Sequence, residues 1–133
     1  MSSQHVGSCL CGAVRYGVEG SFEHFYLCHC SHFRKDTGSA HAANLFSSTA
    51  KLVWLSGQGS VATYTLRDTR HIRSFCTICG SALPFTSAQM VVVPAGSLDT
   101  DLALAPDGNI FTGSRATRDH DLNKAPDYAS FPT

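Results

Sequence analysis

The chain lacks any excess of charge: ten basic and ten acidic side chains cancel, and neither sign forms a long run. Phosphate contacts demand clustered lysine and arginine, so no nucleic-acid or membrane-surface partner is indicated, and a DNA-binding zinc finger is disfavoured. No apolar stretch approaches the roughly twenty residues of a membrane span. The N-terminus from Met1 to Gly12 has no basic start followed by an apolar run, so no signal peptide is expected. The thiols are then expected to be reduced, in a cytoplasmic protein. A long amphipathic helix, internal repeats and a linker are also missing. At 133 residues the expectation is one domain over 1–133, small enough to gain from a metal clamp between its halves. The charge balance suits a small-molecule or protein partner, and nothing fixes an oligomeric state.

Against this even background stand six cysteines, four of them in two tight pairs: Cys9-Leu10-Cys11-Gly12 and Cys76-Thr77-Ile78-Cys79-Gly80. Thiolates one or two residues apart can face one tetrahedral cation, and a glycine after each pair lets the backbone turn beneath it and donate amides to sulfur. The pattern proposes one structural zinc on Cys9, Cys11, Cys76 and Cys79, with rubredoxin-like iron, redox thiols or buried free thiols as the alternatives. A thioredoxin-type reading needs Cys76 to Cys79 to open a helix, whereas His71 to Phe75 and Ser81 to Phe85 look extended. The third pair, Cys28-His29-Cys30, lies in a histidine-rich stretch and is the place to look for chemistry.

The periodicity is that of strands. Ala13 to Val18 alternates, with Val14, Tyr16 and Val18 on one face. Phe22 to Leu27, Leu52 to Leu55, Val61 to Leu66, Ile72 to Phe75 and Met90 to Val93 carry aromatic and β-branched residues between turn-forming clusters. One short helix is expected over His32 to Thr37, capped by the Ser31 hydroxyl and ended by Gly38. Its N-terminus would favour thiolate at Cys28 and Cys30. From Pro106 onward core signals are few and the chain is expected to wrap the surface. Phe33 is expected in the core. Arg34 and Lys35 could hold a substrate carboxylate, although charged residues on a short exposed turn are commonly just solvated. His29 and His32 are candidate metal ligands; His5, His24, His41, His71 and His120 have no partner in sequence.

Four blocks resemble one family in its order: Gly7-Ser8-Cys9-Leu10-Cys11-Gly12-Ala13-Val14-Arg15-Tyr16, Cys28-His29-Cys30-Ser31 with Thr37-Gly38-Ser39-Ala40, Phe75-Cys76-Thr77-Ile78-Cys79-Gly80-Ser81, and Gly96-Ser97-Leu98-Asp99. The chain is similar to the glutathione-dependent formaldehyde-activating enzymes and their centromere-protein-V-like relatives. The resemblance implies a mainly β fold of several coiled antiparallel sheets with zinc-ribbon-like knuckles. It also implies a structural zinc on Cys9, Cys11, Cys76 and Cys79 and a second zinc near Cys28. The implied activity is of carbon-sulfur lyase type, joining a thiol such as glutathione to an aldehyde or releasing it.

The chain departs from the family's Cys-His-Cys-x-x-Cys, because Phe33 stands where the third cysteine of the second zinc is expected. Two thiolates are a poor zinc site, so Cys28 and Cys30 would need His29, His32, water or the substrate's thiol to complete it. Asn109-Ile110-Phe111 replaces the family's His-Ile-Phe, and no tryptophan stands near Arg115; Arg118 is roughly there. Two readings follow. One is a zinc-dependent lyase acting on a thiol adduct of an aldehyde through an altered site. The alternative is a non-catalytic zinc-stabilised β module that kept the structural metal, lost the second and binds a protein or small ligand, with Phe33 plugging the lost pocket.

Overall fold

The computed structural model describes residues 4–132. In chain order the strands are β1 (Gln4–Ser8), β2 (Arg15–Glu19) and β3 (His24–Cys28), then the helix α1 (Ser31–Thr37), then β4 (Ala42–Ser47), β5 (Lys51–Ser56), β6 (Val61–Thr65), β7 (Ile72–Cys76), β8 (Ala82–Leu83), β9 (Phe85–Ser87), β10 (Met90–Pro94) and β11 (Gly108–Ile110). They form three sheets, ordered β1-β2-β5, β11-β3-β4-β10-β9 and β6-β7-β8. The mainly β expectation holds, with one refinement: β11 runs parallel to β3, Ile110 opposite Cys28, where antiparallel pairing was expected throughout. The reason lies in Asp107. Its amide donates to the Phe25 carbonyl at 2.7 Å and its carboxylate accepts from the Phe25 amide at 2.8 Å, which pins the incoming chain alongside β3.

The alternation read around β2 is real. Val14, Tyr16 and Val18 are fully buried and join Leu45, Leu83 and Val93 in one apolar cluster shared by all three sheets. Burying such side chains supplies roughly 1.5–3 kcal/mol each, the main drive toward this arrangement. Tyr16 meets Trp54 edge-on at 6.2 Å. Its hydroxyl donates to Ser97 Oγ at 2.5 Å, because the Ser97 hydrogen is spent on the Pro94 carbonyl. Burial pushes the phenol up to about 12, so it stays a donor. The ring passes over Gly7, where an added Cβ would overlap it and lie 2.6 Å from the Ser97 carbonyl oxygen. The Gly96-to-Asp99 block thus clamps β1, with Ser8 Oγ donating to Asp99 Oδ2 at 2.7 Å.

Three expectations need correction. The N-cap of α1 is Cys30, not Ser31: the Cys30 side chain accepts from the Phe33 amide at 3.4 Å, while Gly38 ends the helix in the left-handed region as expected. Phe33 is not core; no residue of α1 is buried, and its ring is half-exposed, edge-on to His71 at 4.8 Å. A seven-residue helix on the surface has no interior face to give it. The segment after Pro106 is mostly exposed but contributes β11 and the buried Ala116 and Asp119. A short strand and two isolated residues leave no periodic signal to read.

Candidate metal centre and thiol site

Each cysteine knuckle is built by the same backbone move. In the first, Cys9 N–H donates to the Val14 carbonyl and Gly12 N–H to the Cys9 carbonyl; in the second, Cys76 N–H donates to the Ser81 carbonyl and Gly80 N–H to the Cys76 carbonyl. Gly12 and Gly80 sit at φ 81° and 77°, a conformation that β-carbons resist. The turn frees amides for sulfur: Val14 N–H donates to Cys9 Sγ at 3.3 Å and Ile78 N–H to Cys76 Sγ at 3.4 Å. Leu10 N–H reaches Ser81 Oγ at 3.0 Å and locks one knuckle to the other.

The sulfurs of Cys9, Cys11, Cys76 and Cys79 consequently lie within 4.8 Å of one another. Cys9 to Cys11 is 3.6 Å and Cys11 to Cys76 is 4.0 Å. Four sulfurs about 2.3 Å from a tetrahedral zinc would stand about 3.8 Å apart, so the group could hold such an ion. The electrostatics agree. Burial opposes charge on Cys9, yet the Val14 amide and the Cys11 and Cys76 thiols hold its pKa below the ordinary value. The Ser81 hydroxyl and amide pull Cys79 down to about 5. The Ala13 amide favours the Cys11 thiolate, but desolvation and the hydrogen bonds shared with Cys9, Cys79 and Cys76 push it up to about 11. Two thiols are shifted toward the thiolate and one away from it, which is the balance a bound dication would tip. Cys76 ends a strand of an antiparallel sheet and opens no helix, unlike a thioredoxin motif.

Cys28 ends β3 and Cys30 caps α1. Burial, resisted by an amide hydrogen bond at Cys30 and reinforced by the Cys30 thiol beside it, pushes Cys28 up to about 11. Neither histidine joins the pair in a ligand group among the described residues. His29 is engaged by the C-terminal part of the chain instead, its Nε2 2.8 Å from Asn109 Oδ1 and its Nδ1 3.0 Å from Asp119 Oδ2. His32 lies against His71, with ring centroids 5.4 Å apart. A second zinc at Cys28 and Cys30 is therefore not fitted by the chain's own donors, and no step is assigned to one.

Two cavities flank α1. One, about 170 Å³, is walled by Phe33, Thr37, His41, Ala42, Arg73 and Leu83; Ala42 is the register partner of Cys28. The other, about 330 Å³, has His32, Lys35, Tyr64, Leu66 and His71 in its wall, and the two share Asp36 and Arg73. Lys35 faces the larger cavity, whereas Arg34 lines neither and keeps its Nε buried without a partner. The residues missed from sequence are Asp36, His71 and Arg73. Asp36 Oδ2 meets His71 Nε2 at 2.7 Å and Asp36 Oδ1 accepts from Arg73 Nη1 at 3.1 Å. Their separation along the chain left no local signal. None of the six cysteines is in a disulfide, and no described helix is long and apolar enough to cross a membrane.

The model of the family described as "Glutathione-dependent formaldehyde-activating enzyme" matches residues 4–114. A Halomonas elongata protein carrying the provisional name glutathione-dependent formaldehyde-activating enzyme is 32% identical, over 76% of this chain and 69% of its own. The crystal structure of a Rhodobacter sphaeroides protein superposes with a TM-score of 0.56 at 22% identity, over 78% of this chain and 98% of that one, a likeness of fold. With its paired knuckles and the thiol pair at the head of α1, the chain belongs to the family of glutathione-dependent formaldehyde-activating enzymes.

Proposed function

We propose that the protein is a zinc-stabilised enzyme of carbon-sulfur lyase type acting on the adduct of glutathione, or a similar thiol, with an aldehyde. One domain over 1–133 would carry a single structural zinc on Cys9, Cys11, Cys76 and Cys79, which when bound supplies a rigid cross-link rather than chemistry. The site would be the face of Cys28, Cys30 and the cavities along α1. The carrying observation is that Cys30 caps α1, two residues after Cys28 ends β3, and that the same helix walls a cavity lined by Lys35 and Arg73. Glutathione has two carboxylates, and a lysine and an arginine there suit a dicarboxylic thiol. Arg34 is the weaker candidate, since it faces neither cavity.

The reaction is a balanced exchange. In the joining direction the thiol loses its proton, a sulfur lone pair forms the carbon-sulfur bond and the carbonyl π pair moves to oxygen, which takes a proton; release is the reverse. Cys28 stays protonated near neutrality and can exchange that proton with sulfur or oxygen, while the Phe33 amide donates a hydrogen bond to Cys30 Sγ. Reduced thiols fit a cytoplasmic setting. Against the non-catalytic alternative, Phe33 borders the smaller cavity and does not fill it, so room for a ligand is left beside α1. The test is the exchange rate of glutathione with formaldehyde, followed by magnetisation-transfer NMR. The natural protein should accelerate exchange and Cys30→Ala should not; equal rates for the two would end the enzymatic reading.

A further inference from the structure

The β3–α1 connection also contributes to a second donor group, which includes neither thiol of the Cys28–Cys30 pair. His29, between Cys28 and Cys30, His41, just ahead of β4, and Asp119, in the C-terminal segment, bring one ligand atom each within 4.8 Å of the other two. His29 is 1% exposed and Asp119 is 7% exposed. The 2.8 Å contact with Asn109 Oδ1, shorter than the 3.4 Å one with Arg115 Nη2, assigns the His29 ring hydrogen to Nε2. Its Nδ1 then presents a lone pair toward the Asp119 carboxylate 3.0 Å away, and that nitrogen has no hydrogen-bond partner. His41 Nδ1 is likewise buried and unpartnered among the described residues. Two buried imidazole nitrogens without hydrogen-bond partners, converging on a carboxylate whose cationic neighbour among the described residues is Arg115, is an arrangement that costs energy unless a further positive group lies between them.

We propose that His29, His41 and Asp119 bind a first-row divalent cation, separate from the four-cysteine site and sharing no ligand with Cys28 and Cys30. Two imidazoles and a carboxylate suit zinc, cobalt or nickel and leave coordination positions open for water or a small anionic ligand. Asn109 is the orienting partner that a metal-bound histidine needs on its other nitrogen. Arg115 contacts the same group, with Nε 3.3 Å from Asp119 Oδ2 and Nη2 3.4 Å from His29 Nε2. Its side chain is 38% exposed. It can therefore swing into solvent when the cation arrives, and its positive charge makes this site weaker than the four-thiolate one.

Cobalt(II) tests the site, because a site without sulfur gives visible d–d absorption but no sulfur-to-cobalt charge-transfer band. Protein with its tight site already filled by zinc should take up about one further cobalt per chain, without that band. Asp119→Asn and His41→Ala should each abolish the uptake, and Asn109→Ala should weaken it by roughly 10–100-fold. Cys28→Ser and Cys30→Ser should leave it unchanged. Long-range nitrogen-proton NMR should show the diamagnetic zinc shifting the Nδ1 resonances of His29 and His41. Uptake that persists in Asp119→Asn, or disappears in Cys28→Ser, would place the ion elsewhere and overturn the proposal. So would a His29 ring carrying hydrogen on both nitrogens and taking up no cobalt, since the group would then be an ion pair.

Discussion

Arg73 and Asp36 join the helix beside the thiols to the knuckle that carries Cys76 and Cys79. Arg73 Nη1 donates to Asp36 Oδ1 at 3.1 Å, while its Nη2 donates to the Gly80 carbonyl at 2.9 Å. His71, just ahead of the strand that carries Arg73, completes the joint. Asp36→Ala leaves the half-buried Arg73 guanidinium and the largely buried His71 ring without their shared carboxylate. We expect a loss of about 1–3 kcal/mol in urea unfolding, with metal content unchanged because no metal ligand is touched. A variant as stable as the natural protein would show that the joint is only a surface ion pair, of the kind worth little.

Metal loss should separate the two cysteine groups. Cys11 and Cys76 are 65 positions apart in sequence, so a zinc shared by them ties the β1–β2 connection to the β7–β8 connection and can supply roughly 10 kcal/mol toward folding. Cys76→Ser and Cys9→Ser should give insoluble or metal-free protein, and Cys28→Ser should stay folded. A soluble Cys76→Ser protein, melting cooperatively with its natural zinc content, would remove the structural role.

The four-cysteine group was legible because its signal is local: short spacings, and glycines at the two positions where the turn enters positive φ. Strands with alternation or β-branched runs, such as those around Tyr16, Val61 and Val92, were legible for the same reason. Strand β4 was not, since Ala42 to Ser47 mixes buried Asn44 and Ser47 with small apolar residues and so hides its period. Strand β1 offered no alternation, being held by Tyr16 and by the Ser97 and Asp99 region across the fold. The partners of His29, Asn109 and Asp119, are at least 80 positions away. The direction in which His29 points is a tertiary fact, and the Cys-His-Cys spacing alone suggested a ligand for the wrong side of the chain.

Glu23 makes the acid limb of stability predictable. The Ser48 hydroxyl and amide, with Ser47 behind them, hold its carboxyl down to about 2 against an ordinary 4.5. A depressed carboxylate stabilises the fold above its unfolded value, and the contribution is lost as pH falls from there through the folded value. The melting-temperature gap between the natural protein and Glu23→Gln should therefore be constant above about pH 5 and close progressively toward pH 2. A gap independent of pH would mean that the serines hold the amide as well as they hold the carboxylate.

The missing third sulfur beside Cys28 and Cys30 can be restored. Cys30 and Phe33 lie one helical turn apart, close enough for the Phe33 amide to reach Cys30 Sγ. A thiol at position 33 would add a donor on the same side of α1 as Cys30, where neither His29 nor His32 completes a ligand group. As purified, the natural protein should retain about one zinc per chain through mild chelation, because two thiolates hold the ion poorly. Phe33→Cys should raise the tightly held zinc toward about two per chain. With cobalt in place of zinc, the sulfur-to-cobalt band should grow, which distinguishes this site from the sulfur-free His29 group. Glutathione should raise the melting temperature of the natural protein more with added zinc than without, since its thiol would occupy the position that Phe33 leaves open, and Cys30→Ala should erase that difference. Two chelation-resistant zincs in a natural protein whose second ion survives Asp119→Asn would mean that a ligand outside this arrangement already completes the Cys28–Cys30 site.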